Sequence, residues 1–173
     1  MFAKKNVGMI AAALAAVAMS SAALAGSADA NLAVSASIAS ECIISSGTPV
    51  DFGVYSPIVA NLTAAIDQTG TVSVTCTTGS TPATVALDQG LWADTASTAA
   101  VPVRRMKDPV SGAFLSYGLY KEVGRTTNWG SAGRAVATPD GTAHAETVYG
   151  RLPGAQNKPV GSYSDTVVAT VSF

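Results

Sequence analysis

Apolar and polar positions alternate along much of this chain in short stretches of period two, separated by turn residues. Residues 163–173 place Val167, Ala169, Val171 and Phe173 on one side and Thr166, Val168, Thr170 and Ser172 on the other. That alternation predicts a strand with one face in a core. Residues 70–77 repeat the pattern with Val72, Val74 and Cys76, and residues 114–121 set Leu115, Tyr117 and Leu119 against Phe114 and Tyr120. Shorter strands are predicted over 84–88, 101–107 and 147–152. Glycine and proline punctuate the gaps, at Gly47-Thr48-Pro49, Asp108-Pro109, Pro139-Asp140-Gly141 and 159–161. Beyond the N-terminal segment no stretch keeps a 3.6-residue stripe; residues 58–66 could hold a helical turn at most. The predicted fold class is all-β, with the strand spacing of a β-sandwich.

Another alternating stretch, residues 31–38, puts Leu32, Val34, Ala36 and Ile38 on one face. At the other end nothing follows Phe173 to cover the edge of the last predicted strand, and an apolar edge invites pairing with another chain. The expectation is that the front segment of one copy completes the unfinished sheet of the next. Burying Leu, Val and Ile contributes roughly 1.5–3 kcal/mol each, a large share of the ~5–15 kcal/mol that holds a whole domain together. The alternative is an ordinary first strand of its own domain. Ala39-Ser40-Glu41 contains none of the residues that favour a tight reversal, so the chain is expected to run on, not to double back.

The first 25 residues are expected to leave the mature protein. Lys4 and Lys5 precede an apolar run that ends in Ala23-Leu24-Ala25, the layout of an export signal, with Ala28-Asp29-Ala30 as a second cleavage site. No later run is long enough to predict stable membrane insertion. Removing the two lysines leaves eight basic against eleven acidic side chains, which gives no footprint for nucleic acid. Export also colours the two cysteines: Cys42 and Cys76 are expected to form a disulfide.

Candidate chemistry is sparse. His144 is the one histidine, and no G-x-S-x-G elbow accompanies it, so it reads as a surface or strand-edge residue. Asp51, Asp88, Asp94, Asp108 and Asp165 stand beside turns, where a pair could meet. Arg104, Arg105, Lys107 and Arg151 could form a small basic patch; Trp92 and Trp129 could form a sugar platform, against the plainer reading of core and loop packing. The Gly-rich residues 128–133 lack the Lys-Ser/Thr of a phosphate loop and read as a loop. Asn61-Leu62-Thr63 matches a glycosylation sequon, read here as a chance match. No catalytic residue, metal site or cofactor is predicted.

Several short motifs occur together in one order: Cys42-Ile43, Phe52-Gly53, residues 72–76, Leu87-Asp88-Gln89-Gly90, Arg105-Met106, residues 115–120, Trp129-Gly130, Tyr149-Gly150-Arg151 and residues 161–166. In this the chain resembles the spore coat protein U domain family, which includes subunits of archaic (Csu-type) chaperone–usher pili. The resemblance implies an incomplete immunoglobulin-like β-sandwich that lacks its last strand and is completed by a donor strand. It implies three segments: a signal peptide (1–25), an N-terminal donor extension (26–41) and a pilin domain (42–173). Leu32, Val34, Ala36 and Ile38 would be the donor strand; Val167, Ala169, Val171 and Phe173 would form the acceptor and chaperone-binding strand. The extension departs from the strongest donors in its small Ala and Ser residues. Implied partners are other copies or related pilin subunits, a periplasmic chaperone and an outer-membrane usher, with export through the periplasm to the cell surface. The implied function is a structural fimbrial subunit supporting adhesion and biofilm formation. A self-contained secreted module that binds carbohydrate or a coat surface is the alternative.

Overall fold

The computed structural model describes residues 25–136 and 139–173. The expected signal peptide lies almost wholly outside the described residues. Residues 25–36 belong to a unit of their own; they carry no strand or helix and are exposed throughout. Residues 37–173 form the second unit, which holds the eight strands found among the described residues.

In chain order these are β1 (Cys42–Ser46), β2 (Ile66–Cys76), β3 (Thr84–Leu87), β4 (Arg104–Lys107), β5 (Phe114–Tyr120), β6 (Arg134–Ala135), β7 (Ala143–Leu152) and β8 (Ala169–Ser172). Five of them make a sheet in the order β1-β2-β7-β5-β4, and three make a second in the order β6-β3-β8. Every pairing is antiparallel. The two layers are an incomplete immunoglobulin-like sandwich, and the alternation read from the sequence sets which side faces in. Strand β5 buries Leu115, Tyr117 and Leu119 and leaves the residues between them half-buried. Val74 and Cys76 of β2 and Val148 and Leu152 of β7 add to the same core, against Val85 and Leu87 from β3.

The predicted strand over 163–173 is shorter than its alternation suggests. Ser164 exchanges two backbone hydrogen bonds with Lys107 of β4, at 2.9 and 3.2 Å, and only Ala169–Ser172 then pairs with β3. The segment therefore starts against one sheet and ends in the other, and a strand that crosses between layers cannot keep one ladder throughout. Residues 57–63 form consecutive turns, not a helix, and β2 begins at Ile66. The disulfide Cys42–Cys76 joins residues directly opposite each other on β1 and β2. Trp129 is fully buried: its backbone N–H reaches Leu119 O at 2.9 Å and its indole N–H reaches Val85 O at 2.8 Å, so one loop residue pins the two layers together.

The groove between the sheets

The layers do not close along one side. Among the described residues β1 pairs only with β2 and β8 only with β3, and β1 and β8 run near each other. Beyond these strands the chain on either side forms the walls of a groove of about 1230 Å³: residues 46–55 on one side and 156–169 on the other. Its floor is the inner face of the large sheet, including Val72, Val148, Leu152, Leu115, Tyr117 and Met106, with Leu87 opposite.

One wall is shaped by two glycines. Val50 lies over Gly70 and Gly150; a Cβ at Gly150 would meet Val50 Cγ1 at 2.5 Å and the Phe52 ring at 3.0 Å, and one at Gly70 would meet Val50 Cγ2 at 2.7 Å. The absence of side chains there lets residues 47–52 lie flat against the sheet. Phe52 continues inward to face Tyr117, with ring centroids 6.2 Å apart.

The other wall is fixed by a polar network. The Tyr117 hydroxyl donates to Asp165 Oδ2 at 2.6 Å, while Asp165 Oδ1 accepts from the N–H groups of Leu91 (2.9 Å) and Thr166 (2.8 Å). Asp88 Oδ1 accepts from Val168 N–H at 2.9 Å, and Asp88 N–H donates to Val168 O at 3.0 Å. Arg104 is fully buried behind them and donates to the carbonyl oxygens of Leu87 (3.2 Å), Asp88 and Trp129 (2.7 Å). Burial pushes the Tyr117 phenol well above its ordinary range, with the Asp165 carboxylate adding to the effect, so it remains a donor.

Of the residues expected to accept a strand, Val167, Ala169 and Val171 are half-buried and pack on the core, while Phe173 is 54 % exposed. Val167 and Ala169 also line the groove. Of those expected to donate, Leu32, Val34 and Ile38 are each 87 % exposed, and Ala36 is exposed too.

The candidate chemistry reads differently in three dimensions. The basic patch does not assemble: Arg104 is interior, Arg105 pairs with Asp94 at 3.0 Å, and Arg151 makes a two-pronged contact with Asp67 at 2.7 Å. Lys107 sits over the Trp92 ring at 4.3 Å. Asp88 and Asp165 do meet in one network, but backbone N–H groups occupy both carboxylates. His144 Nε2 lies 2.9 Å from Asp140 Oδ1 beside an exposed turn. Asn61 is buried, accepting from Ser56 N–H and donating to Ala64 O, so its amide is committed to holding the 57–63 turns. Trp129 takes the plainer reading of core packing; sequence reasoning missed Arg104 as an interior pin, and the signal available was its place beside the Arg105-Met106 motif.

A family model described as the Spore Coat Protein U domain matches residues 28–170. The chain belongs to this family. The spore coat U domain here is similar over its whole length to Protein U of Myxococcus xanthus, with 43 % identity across 178 residues, covering 98 % of each chain. Its fold is similar to that of a chain in a crystal structure of the CsuC–CsuE chaperone–tip adhesion subunit pre-assembly complex, from archaic chaperone–usher Csu pili of Acinetobacter baumannii. There the TM-score is 0.53 and the identity 24 %, over 79 % of this chain and 40 % of that one. The spore coat U domain thus spans about two fifths of the solved chain it matches. Residues from most of the ordered motifs line the groove, among them Phe52, Val72, Leu87, Met106, Tyr117 and Asp165.

Proposed function

We propose that this chain is a structural subunit of a bacterial surface polymer of the chaperone–usher pilus type, assembled by donor-strand exchange. The observation that carries the reading is the apolar groove that opens where β1 ends, at Ser46, and β8 begins, at Ala169, two strands each paired on one side. Such a groove fits one extended strand that adds main-chain hydrogen bonds at an edge and places alternate side chains inward. The segment holding Leu32, Val34, Ala36 and Ile38 has that alternation and is exposed. In this reading the protein is exported through the periplasm, a chaperone protects the groove, an usher exchanges the chaperone for the next subunit's segment, and the polymer supports attachment and biofilm. The likeness to a chain solved in a chaperone–tip subunit pre-assembly complex supports the chaperone step of this reading.

A second reading has its own support in the full-length likeness to Protein U and the family description. The same strand exchange would then lay down spore coat material in place of a fibre.

The decisive experiment compares residues 26–173 with a version that carries a second copy of residues 31–38 on a short linker after Phe173. Strand exchange predicts aggregate, polymer or degradation for the first and a stable monomer for the second. A monodisperse, equally stable monomer in both cases would favour a self-contained binding module instead. Electron microscopy of the native assembly separates fibre from coat.

A further inference from the structure

We propose that in the assembled polymer the body of the donating copy seats on an apolar rim at the open end of the accepting copy's groove, with Glu41 of the donor against Lys158 of the acceptor. This rests on the strand-exchange reading above and adds a second contact to it.

The tether is short. Glu41 O accepts hydrogen bonds from Thr77 N–H at 2.9 Å and from the Thr77 hydroxyl at 3.2 Å, so the folded body begins at Glu41. Only Ala39 and Ser40 separate it from Ile38. A fully extended chain spans at most about 3.6 Å per residue, which leaves Ile38 and Glu41 no more than about 11 Å apart. A donor with Ile38 in the groove must bring its own body to the groove's mouth.

Strand direction selects which mouth. All the pairings in this domain are antiparallel. A strand added to β8 in the same sense runs with Ile38 toward the beginning of the 156–169 wall, where Lys158 and Val160 stand. Bare apolar side chains stand at that end: Val54 is 92 % exposed and Val160 101 %, both on the groove walls, while Ile58, Val59 and Leu62 are exposed on the 57–63 turns. These turns are tied to the same end, since Ala155 N–H reaches Asn61 O and Gln156 N–H reaches the Tyr55 hydroxyl, both at 3.0 Å. Several large apolar side chains left bare at one end of a domain mark a contact surface. Its charge matches as well. Lys158 and Glu41 are both exposed, and among the described residues neither has an ion-pair partner in its own copy.

The test replaces the full-length chain in its native cells with Lys158→Glu, Glu41→Lys, or both, and measures the yield and length of polymer. Each single reversal sets like charges together and should lower polymer yield roughly threefold, the scale of an exposed ion pair turned repulsive; the double reversal should restore it. Val59→Asn, which spoils the rim and adds no charge, should lower yield without rescue by either reversal. Single reversals with normal polymer, or a double no better than the singles, would overturn the proposal. Ile38→Asp serves as the control: loss of polymer there with normal single reversals sinks only the rim contact, while normal polymer from Ile38→Asp sinks strand exchange itself.

Discussion

The hydroxyl of Tyr117 on the groove floor is bonded to the carboxylate of Asp165 on its wall, 2.6 Å away. This contact joins β5 to the chain that leads into β8, and it holds the wall in place before anything occupies the groove. Tyr117→Phe removes one hydrogen bond to a charged acceptor and should cost about 1.5–3 kcal/mol. Asp165→Ala also takes away the acceptor of Thr166 N–H and leaves Leu91 N–H with only the Thr166 carbonyl, so it should cost more. Urea unfolding of the self-complemented monomer would measure both; equal stability of Tyr117→Phe and wild type would contradict this account.

Arg104 should matter for a different reason. Its side chain is interior, and its donors reach three backbone carbonyls on two other parts of the chain. Arg104→Met keeps the bulk and discards the donors, leaving buried carbonyls short of partners. A loss of about 2–4 kcal/mol is expected, read in the same unfolding experiment.

Gly150→Ala tests the opposite wall. The added methyl would press on Val50 and Phe52, and such overpacking costs about 1–3 kcal/mol. Because residues 47–52 form the wall, strand acceptance should fall along with stability. Binding of a synthetic peptide of residues 31–38 to the unassembled domain would show it.

Replacing both Cys42 and Cys76 with Ser opens a cross-link between residues 34 apart in sequence. On the chain-entropy view the loss is about 3–4 kcal/mol. The affected strand, β1, borders the groove, so peptide binding should weaken as well, and chemical reduction of the wild type should reproduce both effects.

Acid should destabilise the fold along a defined course. The Ser111 hydroxyl and N–H hold Asp108 below the usual carboxylate range; the Thr142 hydroxyl and N–H, and then His144, do so for Asp140; a hydrogen bond from Arg151 does so for Asp67. A carboxylate whose folded pKa lies below its unfolded value of about 3.9 stabilises the fold above that value and ceases to as pH falls through the folded pKa. Stability should therefore be level from about pH 7 to about 5 and fall below about pH 4. Asp108→Asn should be less stable at neutral pH and show a shallower acid slope.

Strand positions with strict alternation were legible in the sequence because a two-sided sheet demands them. Leu115, Tyr117 and Leu119 face inward as their spacing requires, and so do Val74 and Cys76. What alternation could not convey was where a ladder stops. Residues 163–173 keep their period across the whole stretch, yet Ser164 pairs with one sheet and Ala169–Ser172 with the other, a choice made by tertiary contacts. Nor could composition separate Arg104 from Arg105. Neighbours in sequence, they point to opposite faces, one into the interior and one to a surface pair with Asp94. Trp129 was easier to read: a large aromatic in a Gly-rich loop is most economically placed by packing inward, and its side chain belongs to the core.

The chain between 158 and 172 is stitched to both layers, through Ser164 on one side and β8 on the other, with Asp88 and Leu91 bonded to Val168 and Thr166 between them. Tension along that backbone would load bonds in two sheets together, in shear, instead of peeling a single ladder one rung at a time. A string of such units would resist stretching at each link until both attachments gave way at once.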